Sequence, residues 1–190
     1  MPFTLFHYPF GYGLSKTSKR LNMPALLVGA VIPDIEVPLL FLFFQGVFPD
    51  HFVLHSLVGA LSGGLVLAVL ITRYAYPTVI GSIFKLDKQE LKQKCLISRA
   101  LVASAILGIV SHLLVDILHH WYNPILWPWI ADPYAIAGPL CIFFANVLST
   151  DIMTGYYVAN LLTHIVIVPV FLLIIIRTKE NRWHRLWIGE

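Results

Sequence analysis

Histidine and carboxylate side chains recur at helical spacing in two apolar stretches of this chain. His112 and Asp116 are four positions apart, and so are His51 and His55. Side chains four positions apart lie on the same face of a helix, so each pair can point at one ion. Neutral imidazole and carboxylate are common ligands of zinc. Both pairs therefore predict ligands of a metal site.

Two further acids lie between Pro33 and Pro38, where the other neighbours are apolar. An ionised side chain inside a membrane segment costs at least about 2.5 kcal/mol, and a bound cation would offset that cost. We therefore expect Asp34 to be a metal ligand; the alternative is an Asp34 that only caps the next helix. Glu36 and Asp50 are the candidates for a general base.

The histidines near these pairs leave alternatives open. His119 or His120 would continue the stripe of His112 and Asp116 one turn later, and we include His119 among the metal ligands. His51 could instead be a solvated residue at a helix start. The alternative for the His112 and Asp116 pair is a hydrogen bond that joins helices, or an Asp116 that orients a ligand histidine.

The composition places these residues in a membrane protein. Of the 190 residues, 58% are hydrophobic and only 12% are charged, with a mean hydropathy of +0.78. Soluble domains average roughly 25% charged residues. The sequence predicts an all-α, polytopic membrane bundle with a single domain over residues 1–190. We expect the membrane as a partner and no nucleic acid.

The basic residues predict the topology. The 13 Lys and Arg residues fall into three clusters, at 16–20, 73–99 and 177–185. Short basic loops stay on the cytoplasmic side, so all three clusters should share that side of the inner membrane. We predict three full spans at 53–74, 97–121 and 156–176, a cytoplasmic basic loop at 75–96 and a cytoplasmic basic tail at 178–190. The metal site would then lie towards the extracytoplasmic face.

The first fifty residues are less regular, because four prolines between 24 and 49 each remove a helical hydrogen-bond donor. We predict a broken, partly re-entrant helical region here. Asp34 and His51 reach one site most simply if the segment 35–48 dips into the membrane and returns, whereas a full crossing would separate them. The apolar segment 135–148 could cross or re-enter.

Several short motifs in order resemble a known family. The chain is similar to the YdjM-like family of small membrane-bound metal-dependent hydrolases over about residues 1–130. The motifs are Met1-Pro2-Phe3-Thr4 with His7, the stretch from Gly29 to Asp34 followed by Glu36, the run from His51 to Ser56, His112 with Asp116, and Trp127-Pro128.

This resemblance implies a helical membrane protein with a zinc centre. Carried over by position, the ligands would be His7, Asp34, His55, His112 and Asp116. The helix with His112 and Asp116 is also similar to one in zinc-dependent phospholipase C. Because this chain lacks a second helix of that kind, we expect one or two zinc ions.

The resulting functional hypothesis is a metal-dependent hydrolase that acts on a lipid or lipid-linked phosphate through a metal-activated water. The alternative is a membrane metal-binding or metal-transport protein that uses the same residues, since buried His and Asp side chains also mark ion pathways. A pathway needs polar residues at several depths. Here they concentrate near one end of the predicted spans, with only His164 deeper, which favours the enzyme.

Overall fold

The computed structural model describes residues 7–44, 47, 49 and 51–189. Every regular element within these ranges is helical, which confirms the all-α class. The helices are α1 (Tyr8–Thr17), α2 (Met23–Gly29), α3 (Glu36–Phe43), α4 (Leu57–Phe84), α5 (Lys88–Lys94), α6 (Arg99–His119), α7 (Pro139–Val147), α8 (Ile152–Arg177) and α9 (Arg182–Trp187).

Three of these helices are long and apolar enough to cross a membrane. Helices α4, α6 and α8 have 28, 21 and 26 residues, so at about 1.5 Å per residue they are about 42, 32 and 39 Å long. The hydrocarbon core of a bilayer is about 30 Å thick. These helices correspond to the three predicted spans. Helix α7, with 9 residues, is too short to cross by itself.

Helix α4 is longer than the sequence predicts. It continues to Phe84, whereas the predicted span ends at residue 74 and residues 75–96 are predicted to be a loop. A wide π-helical turn over Ile71–Ala75 precedes Pro77, so the missing proline N–H does not stop the helix. The left-handed residue Lys85, with φ 54°, ends it.

The predicted break in the N-terminal region is present. Helix α2 and the following helical stretch Ile32–Phe43 meet at an angle of 48°, as in a broken span or a re-entrant loop. Asn22 caps α2 by accepting a hydrogen bond from the Ala25 N–H at 3.0 Å. The bend presents Asp34 to the interior, where its side chain is buried.

Two glycines bring α2 and α6 into close contact. A Cβ atom on Gly29 would clash with the Ala105 carbonyl of α6, and one on Gly108 would clash with the Leu26 carbonyl of α2. Small residues at such positions allow helix backbones to approach in a membrane. The contact places the end of α2 beside the middle of α6, about one turn before His112.

The C-terminal segment, predicted to be a basic tail, includes the packed helix α9. The Tyr8 hydroxyl donates to the Leu186 carbonyl at 2.8 Å, and the Tyr76 hydroxyl donates to the Trp187 carbonyl at 2.7 Å. Leu186 is buried between α1 and α2. Helix α9 therefore belongs to the bundle and closes one side of it.

Candidate metal centre

Four predicted ligands from three separate parts of the chain meet inside the bundle. Asp34 lies on the turn between α2 and α3, His55 lies just before α4, and His112 and Asp116 lie on α6. Their exposed fractions are 5%, 4%, 0% and 4%, so none is solvated at the surface. We call Asp34, His55, His112 and Asp116 the four-residue group.

The ligand atoms of the four-residue group surround one point. His112 Nε2 lies 3.2 Å from Asp116 Oδ2 and 3.5 Å from Asp34 Oδ1. His55 Nε2 lies 3.4 Å and 3.5 Å from the same oxygens, and 3.2 Å from His112 Nε2. Four ligands about 2.0–2.1 Å from a tetrahedral zinc are about 3.3–3.4 Å from one another. The group could therefore hold a metal ion with little movement.

The second nitrogen of each histidine is held by another group. His55 Nδ1 donates to Glu36 Oε1 at 2.7 Å, and His112 Nδ1 donates to the Ala30 carbonyl at 2.8 Å. With Nδ1 protonated, each Nε2 directs its lone pair into the four-residue group. The Ala30 carbonyl lies within reach because α2 and α6 are in close contact.

Glu36 has three partners of its own. Besides His55, its carboxylate accepts the backbone N–H groups of Phe52 and Leu54, each at 2.7 Å. A carboxylate with these three partners is suited to orienting a ligand histidine. The role of Glu36 as a general base stays a prediction. The three hydrogen bonds of Glu36 link the segment before α4 to the bend after α2.

The electrostatics of the site favour a cation. The side chains of Asp34, Glu36 and Asp116 are all buried, and their ion pairs with other described residues involve only histidine. Uncompensated buried carboxylates are strongly destabilising. A divalent ion would balance the charge.

A second set of side chains shares Asp116 with the first. His51, Asp116 and His120, which we call the three-residue group, each offer a ligand atom within 4.8 Å of the others. His120 Nε2 lies 3.8 Å from Asp116 Oδ2, and the rings of His51 and His120 are 4.7 Å apart. The atoms are more widely spaced than in the four-residue group. This group could also hold an ion, with fewer protein ligands.

A small cavity adjoins the three-residue group. Its volume is about 10 Å³, and its lining includes His51, His55, Asp116 and His120. A single water molecule needs about 10–15 Å³ and two to four polar partners. The cavity therefore has room for about one water beside both groups.

Comparison with known proteins agrees with the residue pattern. The YdjM inner membrane protein family matches residues 7–184, a range that contains both groups. The chain belongs to this family. Together with the three candidate spans, membership establishes an integral membrane protein. No curated protein and no solved structure matches the chain. The similarity to zinc-dependent phospholipase C is therefore not confirmed.

Two predicted ligands of this YdjM family protein lie beside the four-residue group. His7 stacks on His112 with ring centroids 3.9 Å apart, and His7 Nε2 lies 3.8 Å from Asp116 Oδ1. Burial, then the neighbouring His112, lowers the pKa of His7 to about 3, so its ring is neutral at neutral pH. His51 Nε2 lies 3.9 Å from Asp34 Oδ1. Asp34 and His51 therefore lie at one site, as the sequence predicts.

His119 is placed differently from the sequence prediction. It belongs to neither group of this YdjM family protein, and its Nδ1 donates to the Val115 carbonyl of its own helix at 2.5 Å. His120, one residue later, joins the three-residue group. His120 is four positions from Asp116, but α6 ends at His119, so helical spacing alone does not identify His120. Asp50, the other candidate base, lies outside the described residues.

Proposed function

We propose that this protein is a membrane-embedded metal-dependent hydrolase that acts on a phosphoester of a lipid or a lipid-linked phosphate. The observation that carries the proposal is the sharing of Asp116 by two metal-binding groups of unequal ligand number. The four-residue group offers an ion a full set of protein ligands. The three-residue group leaves a position for water and adjoins a cavity of matching size.

A bound zinc would lower the pKa of a coordinated water from 15.7 to about 7 and would stabilise negative charge on phosphoryl oxygens. The residues of the chain supply the positioning. Glu36 and the Ala30 carbonyl hold His55 and His112 in the tautomer that ligates. Asp116 Oδ2 faces the histidines of both groups, and the bundle around the site excludes bulk water.

Substrate recognition in this proposal depends on the metal. No lysine or arginine lines the small cavity within the described part of the chain. A phosphate there would find its positive partners in the ions themselves. Carboxylic esters and amides, which carry less charge, therefore belong in the same substrate screen.

One observation favours the alternative of metal storage or transport. Four protein ligands complete a tetrahedral zinc site, and such closed sites are typically structural. Against a pathway, Nδ1 of the deeper His164 donates to the Asn160 carbonyl of its own helix at 2.6 Å. Metal flux into proteoliposomes without any ester cleavage would support the alternative.

The test is metal analysis of the purified full-length protein, followed by hydrolysis assays on phospholipid and lipid-phosphate vesicles. We expect one or two zinc ions per chain in the wild type, loss of metal and hydrolysis in His112→Ala, and retention of both in His164→Ala. A wild-type protein without stoichiometric metal, or hydrolysis that survives complete chelation, would refute the proposal.

A further inference from the structure

A basic cavity lies at the C-terminal end of α8, between α1, α8 and α9. Its volume is about 260 Å³, and its described lining contains Arg177 and Arg185 but no acidic residue. Tyr12 forms the α1 side of the cavity. The Lys16 ammonium lies 4.8 Å from the centre of the Tyr12 ring, which places a third cation beside the cavity.

The turn between α8 and α9 brings the two arginines together. Arg177 is the last residue of α8, and the chain turns back at Asn181, where a φ of 45° gives a left-handed backbone. Arg182 Nε donates to the Thr178 carbonyl at 2.9 Å and so holds the start of α9 against the end of α8. Arg185, eight positions after Arg177, therefore returns to the same cavity.

The electrostatics of this cavity favour an anion. Among the described residues each ion pair involves a histidine, and Arg177 and Arg185 take part in none. The positive-inside rule accounts for arginines at the end of a span, but not for their meeting at one cavity. Two like charges at one cavity repel each other. A bound phosphate would compensate that repulsion and would accept hydrogen bonds from both guanidinium groups.

The position of the cavity indicates that the anion belongs to a lipid. Helix α8 is a candidate membrane span of 26 residues, and lipid head groups lie at the ends of such spans. Leu173 and Ile174, about one turn before Arg177, form an apolar wall of the cavity. An acyl chain attached to the bound head group can run along this wall into the membrane. Basic cavities between helices at the membrane surface are known to bind anionic head groups.

We propose that this cavity binds the phosphate of an anionic phospholipid through Arg177 and Arg185. At about 30 Å³ for each water in the liquid, 260 Å³ is roughly the volume of nine waters, which is enough for a phosphate group of five heavy atoms with water around it. A zwitterionic lipid suits the cavity less well, because its ammonium group would meet two guanidinium groups.

The lipid site is separate from the metal centre. The Tyr156 ring lies 6.0 Å from the ring of His120 in the three-residue group. Arg177 is 21 positions after Tyr156, about 32 Å further along α8. Binding at the cavity therefore does not require the proposed hydrolase function, and loss of zinc should leave it unchanged.

The experiment measures lipid binding to the full-length protein in a neutral detergent by native mass spectrometry. The probe is phosphatidylglycerol, and phosphatidylcholine with the same acyl chains is the zwitterionic comparison. We expect one phosphatidylglycerol to bind more tightly than any phosphatidylcholine. Arg177→Gln and Arg185→Gln should each weaken this binding about fivefold, and the double variant about thirtyfold. The matched control, Arg20→Gln with Arg99→Gln, removes two exposed arginines outside the described lining and should leave binding unchanged.

A second pair of variants tests the apolar wall. Leu173 and Leu172 are 45% and 50% exposed, but only Leu173 belongs to the described lining. Leu173→Gln should weaken phosphatidylglycerol binding severalfold, and Leu172→Gln should not change it. Inorganic phosphate and glycerol 3-phosphate should compete only weakly, because they have no acyl chain to lie along the wall.

Equal weakening in the two double arginine variants would overturn the site, since any loss of positive charge would then have the same effect. Phosphatidylcholine that binds as tightly as phosphatidylglycerol would overturn the selectivity for an anion. Free phosphate that competes as well as the lipid would overturn the lipid as its source. Zinc removal and His112→Ala should leave phosphatidylglycerol binding intact, so failure of the hydrolase proposal is measured independently of this site.

Discussion

The two candidate metal-binding groups share Asp116 but differ in how firmly their candidate ligands are held. In the four-residue group the ligand atoms are 3.2–3.5 Å apart, and a carboxylate or a carbonyl holds the second nitrogen of each histidine. In the three-residue group the contact between His120 and Asp116 is 3.8 Å, and a water-sized cavity lies alongside. The first arrangement is preorganised for one ion, whereas the second has room for a reactant.

This difference implies a division of labour between neighbouring sites. In the proposed function, an ion in the four-residue group would compensate the buried charge. The three-residue group would keep a position open for water, as catalytic zinc sites do. Four substitutions test this comparison.

The largest effect is expected from Asp116→Asn, because both groups lose a ligand. Metal affinity should fall by more than about 100-fold, beyond the effect of removing an outer partner of a ligand. The measurement is zinc content after dialysis against a weak chelator. Wild-type zinc content in this variant would contradict the assignment of Asp116 as the shared ligand.

His120→Ala should separate the two groups. We expect the protein to keep the ion of the four-residue group, to lose a second ion and to lose hydrolysis, since only the open site is damaged. Zinc titration followed by calorimetry, together with the vesicle assay, measures these changes. His119→Ala is the matched control because His119 belongs to neither group. Equal losses in the two variants would refute the division of labour.

Glu36→Gln should weaken the four-residue group without removing a ligand. Glutamine keeps one acceptor but carries no charge, so His55 is held less firmly and metal affinity should fall about 10–100-fold. The control is Glu90→Gln, at the ion pair with His184 far from the site. If Glu36→Gln abolishes hydrolysis at full zinc occupancy, Glu36 acts as the general base after all.

Gly108→Ala should have the smallest effect on the chemistry and a clear effect on stability. The added Cβ would clash with the Leu26 carbonyl and push α2 away from α6, which costs roughly 1–3 kcal/mol. Thermal unfolding in detergent measures the change. Gly63→Ala, where a Cβ meets nothing within 4 Å, should be neutral or stabilising. Equal melting temperatures would show that close helix contact is not required.

Much of the candidate site could be predicted from local spacing. His112 and Asp116, four positions apart, lie on the same face of any helix, and the apolar residues around them predict that this helix lies in the membrane. The role of Glu36 could not be predicted in this way. Its partners at Phe52, Leu54 and His55 lie 16, 18 and 19 positions further along the chain, and contacts at such separations depend on packing rather than on periodicity.

The choice between His119 and His120 shows the same limit. Helix α6 ends at His119, and His120 has extended backbone angles of φ −90° and ψ 140°. Helical spacing therefore does not predict which of the two histidine rings, His119 or His120, turns towards Asp116. The predicted span also ends at residue 74, ten residues before α4 does. A proline usually ends a helix, but the wide turn over Ile71–Ala75 accommodates Pro77 here.

The sequence by itself determined the helical membrane class, the three spans and the residue types of a metal centre, because hydropathy and helical periodicity are local properties. Only the tertiary structure decided which side chains lie close enough to share an ion. His55 and His112 are 57 positions apart along the chain, and their Nε2 atoms come within 3.2 Å. That approach depends on the contact of α2 with α6 at Gly29 and Gly108, where backbones meet because no side chain intervenes.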